Sequence, residues 1–237
     1  MFHGNAMTQS SLLPYAAIAY RVGFNALTVE YRGYQRNEGW PSEKGLQRDA
    51  QAALDYVLTD PILSTKPVII FGQSLGGAVA IDLTSRNASK VSALIVENTF
   101  TSIPDLVRGR FPLLIKWVSY FCTQRWDSAR KIKKLPASLP ILMLSGLLDE
   151  VVPETHMRRL WAASQTRHEK GNFMEWAQRS ISQDAKSQST QTFPNIDEFH
   201  AFEFGEHVDM SKLDGYRGIL TDFLDKIIPK SVFTSKD

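Results

Sequence analysis

The sequence predicts an α/β fold: a doubly wound, mostly parallel sheet with helices on both faces. Three observations carry that reading. Strand-like and helix-like segments alternate along the chain. Several strand candidates are short unbroken apolar runs, such as Pro67-Val68-Ile69-Ile70-Phe71-Gly72, the pattern of a strand buried on both faces. The chain has 237 residues, 43% of them hydrophobic, which suits one large core.

Taken in order, residues 11–20 place Leu12, Leu13, Tyr15, Ala16 and Ala19 at helical spacing. Residues 24–31 are strand-like and end in the turn Arg32-Gly33-Tyr34. Residues 43–58 form a helix with Leu46, Ala50, Ala53, Leu54 and Val57 on one face and Ser42 as its N-cap. The strand 67–72 leads into a helix over 75–85. Further strands are expected at 91–96, 141–145 and 201–204, and an amphipathic helix at 216–228.

Two stretches break the alternation. Residues 103–135 form a lid-like segment rich in aromatic and basic residues. Phe111, Leu114, Ile115, Trp117, Val118, Tyr120 and Phe121 are candidates to line an acyl pocket, with Arg125, Arg130, Lys131, Lys133 and Lys134 close behind. The plainer reading is a helix pair packed on the sheet with a solvated basic face. A polar insert spans about 164–198, and its Ser- and Gln-rich part at 178–192 reads as a loop. Residues 1–237 are therefore expected to form a single domain.

Composition narrows the function. A net charge of +2 gives no strong pull toward nucleic acid or an anionic membrane. The single cysteine, Cys122, forms no internal disulfide and reads as a small buried hydrophobe. No apolar run reaches the roughly 18 residues of a membrane span. No metal-ligand cluster stands out, so no cofactor is implied.

The chemistry sits at Gly72-Gln73-Ser74-Leu75-Gly76. This G-x-S-x-G lies between an apolar strand and a helix, the context of a nucleophile elbow. Glycines at 72 and 76 leave room for a tight turn that lifts the Ser74 hydroxyl above the sheet. A serine needs a base, and the base an orienting acid. With this elbow the chain order is Ser, then Asp or Glu, then His. Asp149 follows the strand 141–145 in Gly146-Leu147-Leu148-Asp149, with Val152-Pro153 after it. Of the five histidines, His207 follows the final strand, whereas His3 precedes the elbow, His156 and His168 follow the acid turn, and His200 opens a strand. Ser74, Asp149 and His207 are thus the candidate nucleophile, acid and base. The oxyanion requires N–H donors. The Leu75 N–H is one, and the His3-Gly4-Asn5-Ala6 loop supplies the other, from Asn5 or alternatively Ala6.

At these residues the sequence resembles the Bem46 family of the α/β-hydrolase superfamily. The resemblance rests on Phe2-His3-Gly4-Asn5-Ala6, Val29-Glu30-Tyr31-Arg32-Gly33-Tyr34, the elbow through Ala80, Val96-Glu97-Asn98-Thr99-Phe100 and Ser145-Gly146-Leu147-Leu148-Asp149. It implies an α/β-hydrolase fold, a Ser-Asp-His triad, an ester or thioester substrate and a membrane-associated location. Relatives of the family include protein depalmitoylases, and its members usually carry a hydrophobic N-terminal anchor. The same triad also serves amidases and serine peptidases, and a non-catalytic membrane scaffold is a third reading. Met7 stands where the family usually has glycine, which makes the oxyanion loop bulkier. In this fold the third strand is central and nearly all of it would lie before His3. The first strands are therefore expected to be missing or incomplete, as in an N-terminally truncated chain, and 24–31 and 67–72 would lack their shared neighbour.

Overall fold

The computed structural model of the protein describes residues 1–110, 122–167 and 196–227. Strands β1 (Ile69–Gln73), β2 (Ala93–Glu97), β3 (Ile141–Gly146) and β4 (Glu198–Phe202) form one parallel sheet in that order. Ile70 stands opposite Leu94, Leu94 opposite Ile141, and Leu142 opposite Glu198. The helices are α1 (Leu13–Arg21), α2 (Glu43–Thr59), α3 (Leu75–Arg86), α4 (Ile103–Arg110), α5 (Ser128–Ile132), α6 (Thr155–Gln165) and α7 (Tyr216–Ile227).

The unbroken apolar runs have a direct cause. Ile70, Leu94, Val96, Ile141 and Met143 pack with Leu46, Val79, Ile132 and Leu160 of α2, α3, α5 and α6. Their neighbours Phe71, Ala93, Ile95, Leu142 and Leu144 pack with Tyr15, Ile18, Tyr216, Leu220 and Phe223 of α1 and α7. Successive residues of a strand point to opposite faces, so a sheet covered on both sides leaves no place for a polar alternation. Local signals agree with the long-range ones. The Ser42 Oγ accepts from the Gly45 N–H at 3.1 Å, a cap contributing about 0.5–2 kcal/mol.

The expected strand over 24–31 is not a strand. Among the described residues the stretch makes one isolated bridge, from Val29 to Phe2, and Phe2 bridges in parallel to both Val29 and Gly72. The Val29 N–H donates to the Met1 carbonyl at 3.1 Å, and the Phe2 N–H to Phe71 O at 2.9 Å. Phe2 thus sits between the segment at 29 and the end of β1. Beside Met1 and Phe2, between residues 24–29 and β1, lies a cleft of about 510 Å³ lined by Phe24, Leu27, Val68, Ile70 and Leu83. Residues 24–28 have the composition of a strand, but a ladder requires a neighbour on which to form hydrogen bonds, and beside them lies this cleft. The strand expected at 201–204 is also shifted: β4 begins at Glu198 and ends at Phe202.

In the 103–135 stretch, the described parts are α4 and residues 122–135, which include α5, while 111–121 lie outside the described residues, with all seven candidate acyl-pocket side chains. Lys131 does not belong to a solvated basic face. Its Nζ lies 2.8 Å from Asp82 and 3.3 Å from Glu43, over the buried Trp126 ring. Most of the polar insert, residues 168–195 with His168, lies outside the described residues as well. Its two ends do not behave as an insert. Arg167 is buried, its Nη1 donates to Leu139 O at 3.0 Å, and its guanidinium pairs with Asp197. Asp197 also accepts from the Ile141 N–H at 3.0 Å. Residues 164–167 and 196–198 are therefore part of the folded body.

Candidate active site

Ser74 occupies the single residue between β1 and α3, with φ 55° and ψ −120°. A non-glycine residue there is strained and persists only where its surroundings over-determine it. The Ser74 N–H donates to Glu97 O at 2.9 Å, and the Thr99 hydroxyl donates to Ser74 O at 2.7 Å. The flanking glycines are required by contact. A Cβ on Gly72 would stand 2.1 Å from Gly76 O, and one on Gly76 would stand 2.1 Å from Phe2 O.

The structure brings the three expected side chains together. His207 Nε2 lies 3.0 Å from Ser74 Oγ, and His207 Nδ1 lies 2.7 Å from Asp149 Oδ2. A carboxylate only accepts, so Nδ1 carries the proton and Nε2 is left to accept from the serine hydroxyl. Asp149 is held from its other side, where Oδ1 accepts from the N–H groups of Val151 and Val152, both at 2.8 Å. That bonding fixes the carboxylate on the turn after β3, and Asp149 caps no helix: α6 begins after Glu154. Both Ser74 and Asp149 are buried. The cleft beside Met1 is lined by none of the three.

The loop expected to complete the oxyanion hole runs alongside Ser74. A Cβ on Gly4 would lie 3.2 Å from Ser74 Cβ and 2.7 Å from Met7 Sδ, so the Met7 side chain folds back over the loop. Asn5 follows, and its Oδ1 accepts from the Tyr34 hydroxyl at 2.7 Å. Ala6 adopts φ 57°. His3 is fully buried, with Nδ1 2.8 Å from Gly4 O and Nε2 2.9 Å from Glu30 Oε1. It supports the loop from below. Of the other histidines, His156 is buried with Nδ1 3.0 Å from the Thr101 hydroxyl, and His200 lies 2.8 Å from Glu198.

Sequence reasoning gave no role to the residues beneath the site. Glu97, the last residue of β2, is fully buried. It accepts from Tyr15 OH at 2.8 Å, Gln73 Nε2 at 2.9 Å and Tyr216 OH at 2.6 Å. Burial pushes its carboxyl up to about 7, against the opposing pull of these three hydrogen bonds. The available signal was a lone acid closing an apolar run at a strand's carboxyl end.

The sign of the pH effect follows. The folded carboxyl holds its proton up to about 7, while an unfolded one releases it near 4.5. Between those values the folded state binds more protons, so Glu97 takes stability away as pH rises through the window, and its effect levels off above about 7. The full effect is on the order of 3 kcal/mol. Glu97→Gln is expected to flatten this slope, read as the urea midpoint from pH 4.5 to 8. An unchanged slope in the variant would reject the assignment.

The chain is similar to known proteins. Residues 1–135, more than half of the chain, match the family Hydrolase_4 (Serine aminopeptidase, S33). The chain is 38% identical to Protein bem46 of Schizosaccharomyces pombe over 224 residues, 94% of this chain and 65% of that protein. It is 34% identical over 208 residues to an uncharacterized membrane protein of Saccharomyces cerevisiae, covering 87% of this chain and 63% of that one. It thus spans somewhat less than two thirds of the length of either relative. Among solved structures, the Pyrococcus furiosus esterase Pf2001 aligns with a TM-score of 0.67 at 14% identity, over 95% of this chain and 81% of that one. By sequence and by fold, the chain belongs to the Hydrolase_4 family of α/β-hydrolases, with the Bem46 proteins among its relatives.

Proposed function

We propose that the protein is a serine hydrolase that cleaves a carboxylic ester or thioester through an acyl-enzyme. The observation that carries this reading is the unbroken chain of hydrogen bonds from Asp149 through His207 to Ser74. Ser74 attacks the carbonyl carbon as His207 Nε2 takes its proton. Asp149 keeps the imidazole in the tautomer that can accept and stabilises the cation that forms. The N–H groups of Leu75 and Asn5 receive the oxyanion. His207 then protonates the leaving alcohol or thiol, and water enters by the same route in reverse to release the acid.

An ester or thioester leaving group makes smaller demands than an amine, because a thiolate leaves without full protonation. The Pyrococcus neighbour is named an esterase, in keeping with this reading. The description of the matched family as a serine aminopeptidase favours a second reading, amide cleavage by the same three groups. Turnover of matched acyl esters, acyl thioesters and aminoacyl amides decides between them. The proposal expects the first two to exceed the amide by at least about tenfold in kcat/KM, a difference of about 1.4 kcal/mol. Amide preference would overturn it. The membrane label of the Saccharomyces relative supports a membrane surface as the setting. Among the described residues, no helix is long and apolar enough to cross a membrane.

A further inference from the structure

We propose that Asn98 is a positioning residue that sets the distance between the His207 loop and the Asp149 turn. The inference deepens the reading above and rests on it. Asn98 directly follows β2, is buried, and adopts φ 45°. Its N–H donates to Leu144 O at 3.1 Å, which ties its main chain to β3. The side chain reaches both catalytic loops. Its Nδ2 donates to Glu206 O at 2.8 Å and to His207 O at 3.3 Å. Its Oδ1 accepts from the Gly146 N–H at 2.8 Å, three residues before Asp149.

One carboxamide therefore spans the loop that carries the imidazole and the turn that carries the carboxylate. Only an amide does both, since it alone places a donor pair and an acceptor on one short side chain. An aspartate keeps the acceptor and turns a carboxylate toward two carbonyl oxygens. The left-handed backbone narrows the choice further, because asparagine tolerates that conformation better than most residues. The neighbours of Asn98 hold the third member: Glu97 O and the Thr99 hydroxyl grip the main chain of Ser74. A second tie, Gln73 Nε2 to His207 O at 3.3 Å, supports the same loop from β1.

The test uses Asn98→Gly, which keeps the backbone conformation and removes the carboxamide, and Asn98→Asp, which keeps the size. Two readouts are taken. The first is steady-state kinetics on the best ester of the panel across pH. Both variants are expected to lose about 10–100-fold in kcat with KM nearly unchanged, as a displaced catalytic group would, and the acid limb of their pH profile is expected to move. The second is the proton NMR signal of the His207 Nδ1–H, which reports the imidazole–carboxylate bond without any turnover. It is expected to be present in the wild-type protein and in Ser74→Ala, and shifted or lost in both Asn98 variants. A general loss of stability alone would not move that signal in the folded fraction. Wild-type kcat, pH profile and imidazole signal in either folded variant would overturn the proposal. Failure of the broader reading shows separately, as a wild-type protein that no fluorophosphonate probe labels at Ser74.

Discussion

Replacing Ser74 with alanine is expected to lower turnover by about 10⁴–10⁶-fold, the range seen when a nucleophile that works with its base as a unit is removed. The proposed oxyanion donors and the His207–Asp149 pair would remain and give only the residual rate. The fold is expected to survive. Among the described residues, Ser74 makes one side-chain hydrogen bond, to His207, while its strained main chain is held by Glu97 and Thr99. Alanine has the same Cβ at the same positive φ, so the backbone strain is unchanged. The melting temperature should move by no more than about 2–4 °C, the shift that accompanies about 1 kcal/mol in a chain of this size. Turnover, fluorophosphonate labelling and thermal unfolding on the same preparation check all three statements. A folded alanine variant with undiminished turnover would mean that another group attacks the substrate.

The relation between Ser74, Asp149 and His207 was legible because each closes a strand or a strand-to-helix turn. The elbow motif fixes the first, and chain order selects the others. The strands β1, β2 and β3 were legible for the same reason their side chains are buried: two covered faces demand unbroken apolar runs. Residues 24–31 show where that logic stops. Their composition suits a strand, yet ladder pairing is a property of two segments, and among the described residues this stretch forms one isolated bridge, from Val29 to Phe2. The support beneath the site was less legible still. Glu97 and Asn98 act on residues more than a hundred positions away in sequence, such as Tyr216 and Glu206. No local pattern encodes such a contact. The Arg167–Asp197 pair is of the same kind, since a charged residue beside a polar stretch reads as surface until the partner that buries it is seen.

The elbow helix and the loop expected to hold the oxyanion share one contact, and a single methyl group tests it. A Cβ on Gly76 would meet Phe2 O at 2.1 Å, Phe2 C at 2.4 Å and His3 O at 2.7 Å. All three are main-chain atoms, and Phe2 O is already engaged by the Gln73 N–H at 3.1 Å. Neither partner has a flexible end that could swing aside. Gly76→Ala must therefore push α3 off the sheet or drive residues 2–3 out of their bridge between Val29 and Gly72. The expected cost exceeds about 4–5 kcal/mol, the exceptional range for a point substitution, and a loss of most soluble folded protein. Gly218, in α7, supplies the contrast: a Cβ there meets nothing within 4 Å. Gly218→Ala is expected to raise stability by about 0.5–1 kcal/mol, through helix propensity and a less flexible unfolded chain. Urea midpoints of the two variants against wild type should move in opposite directions. If Gly76→Ala were tolerated, the close approach of α3 to the Phe2 and His3 carbonyls would be dispensable, and the elbow would be held by β1 and β2 alone.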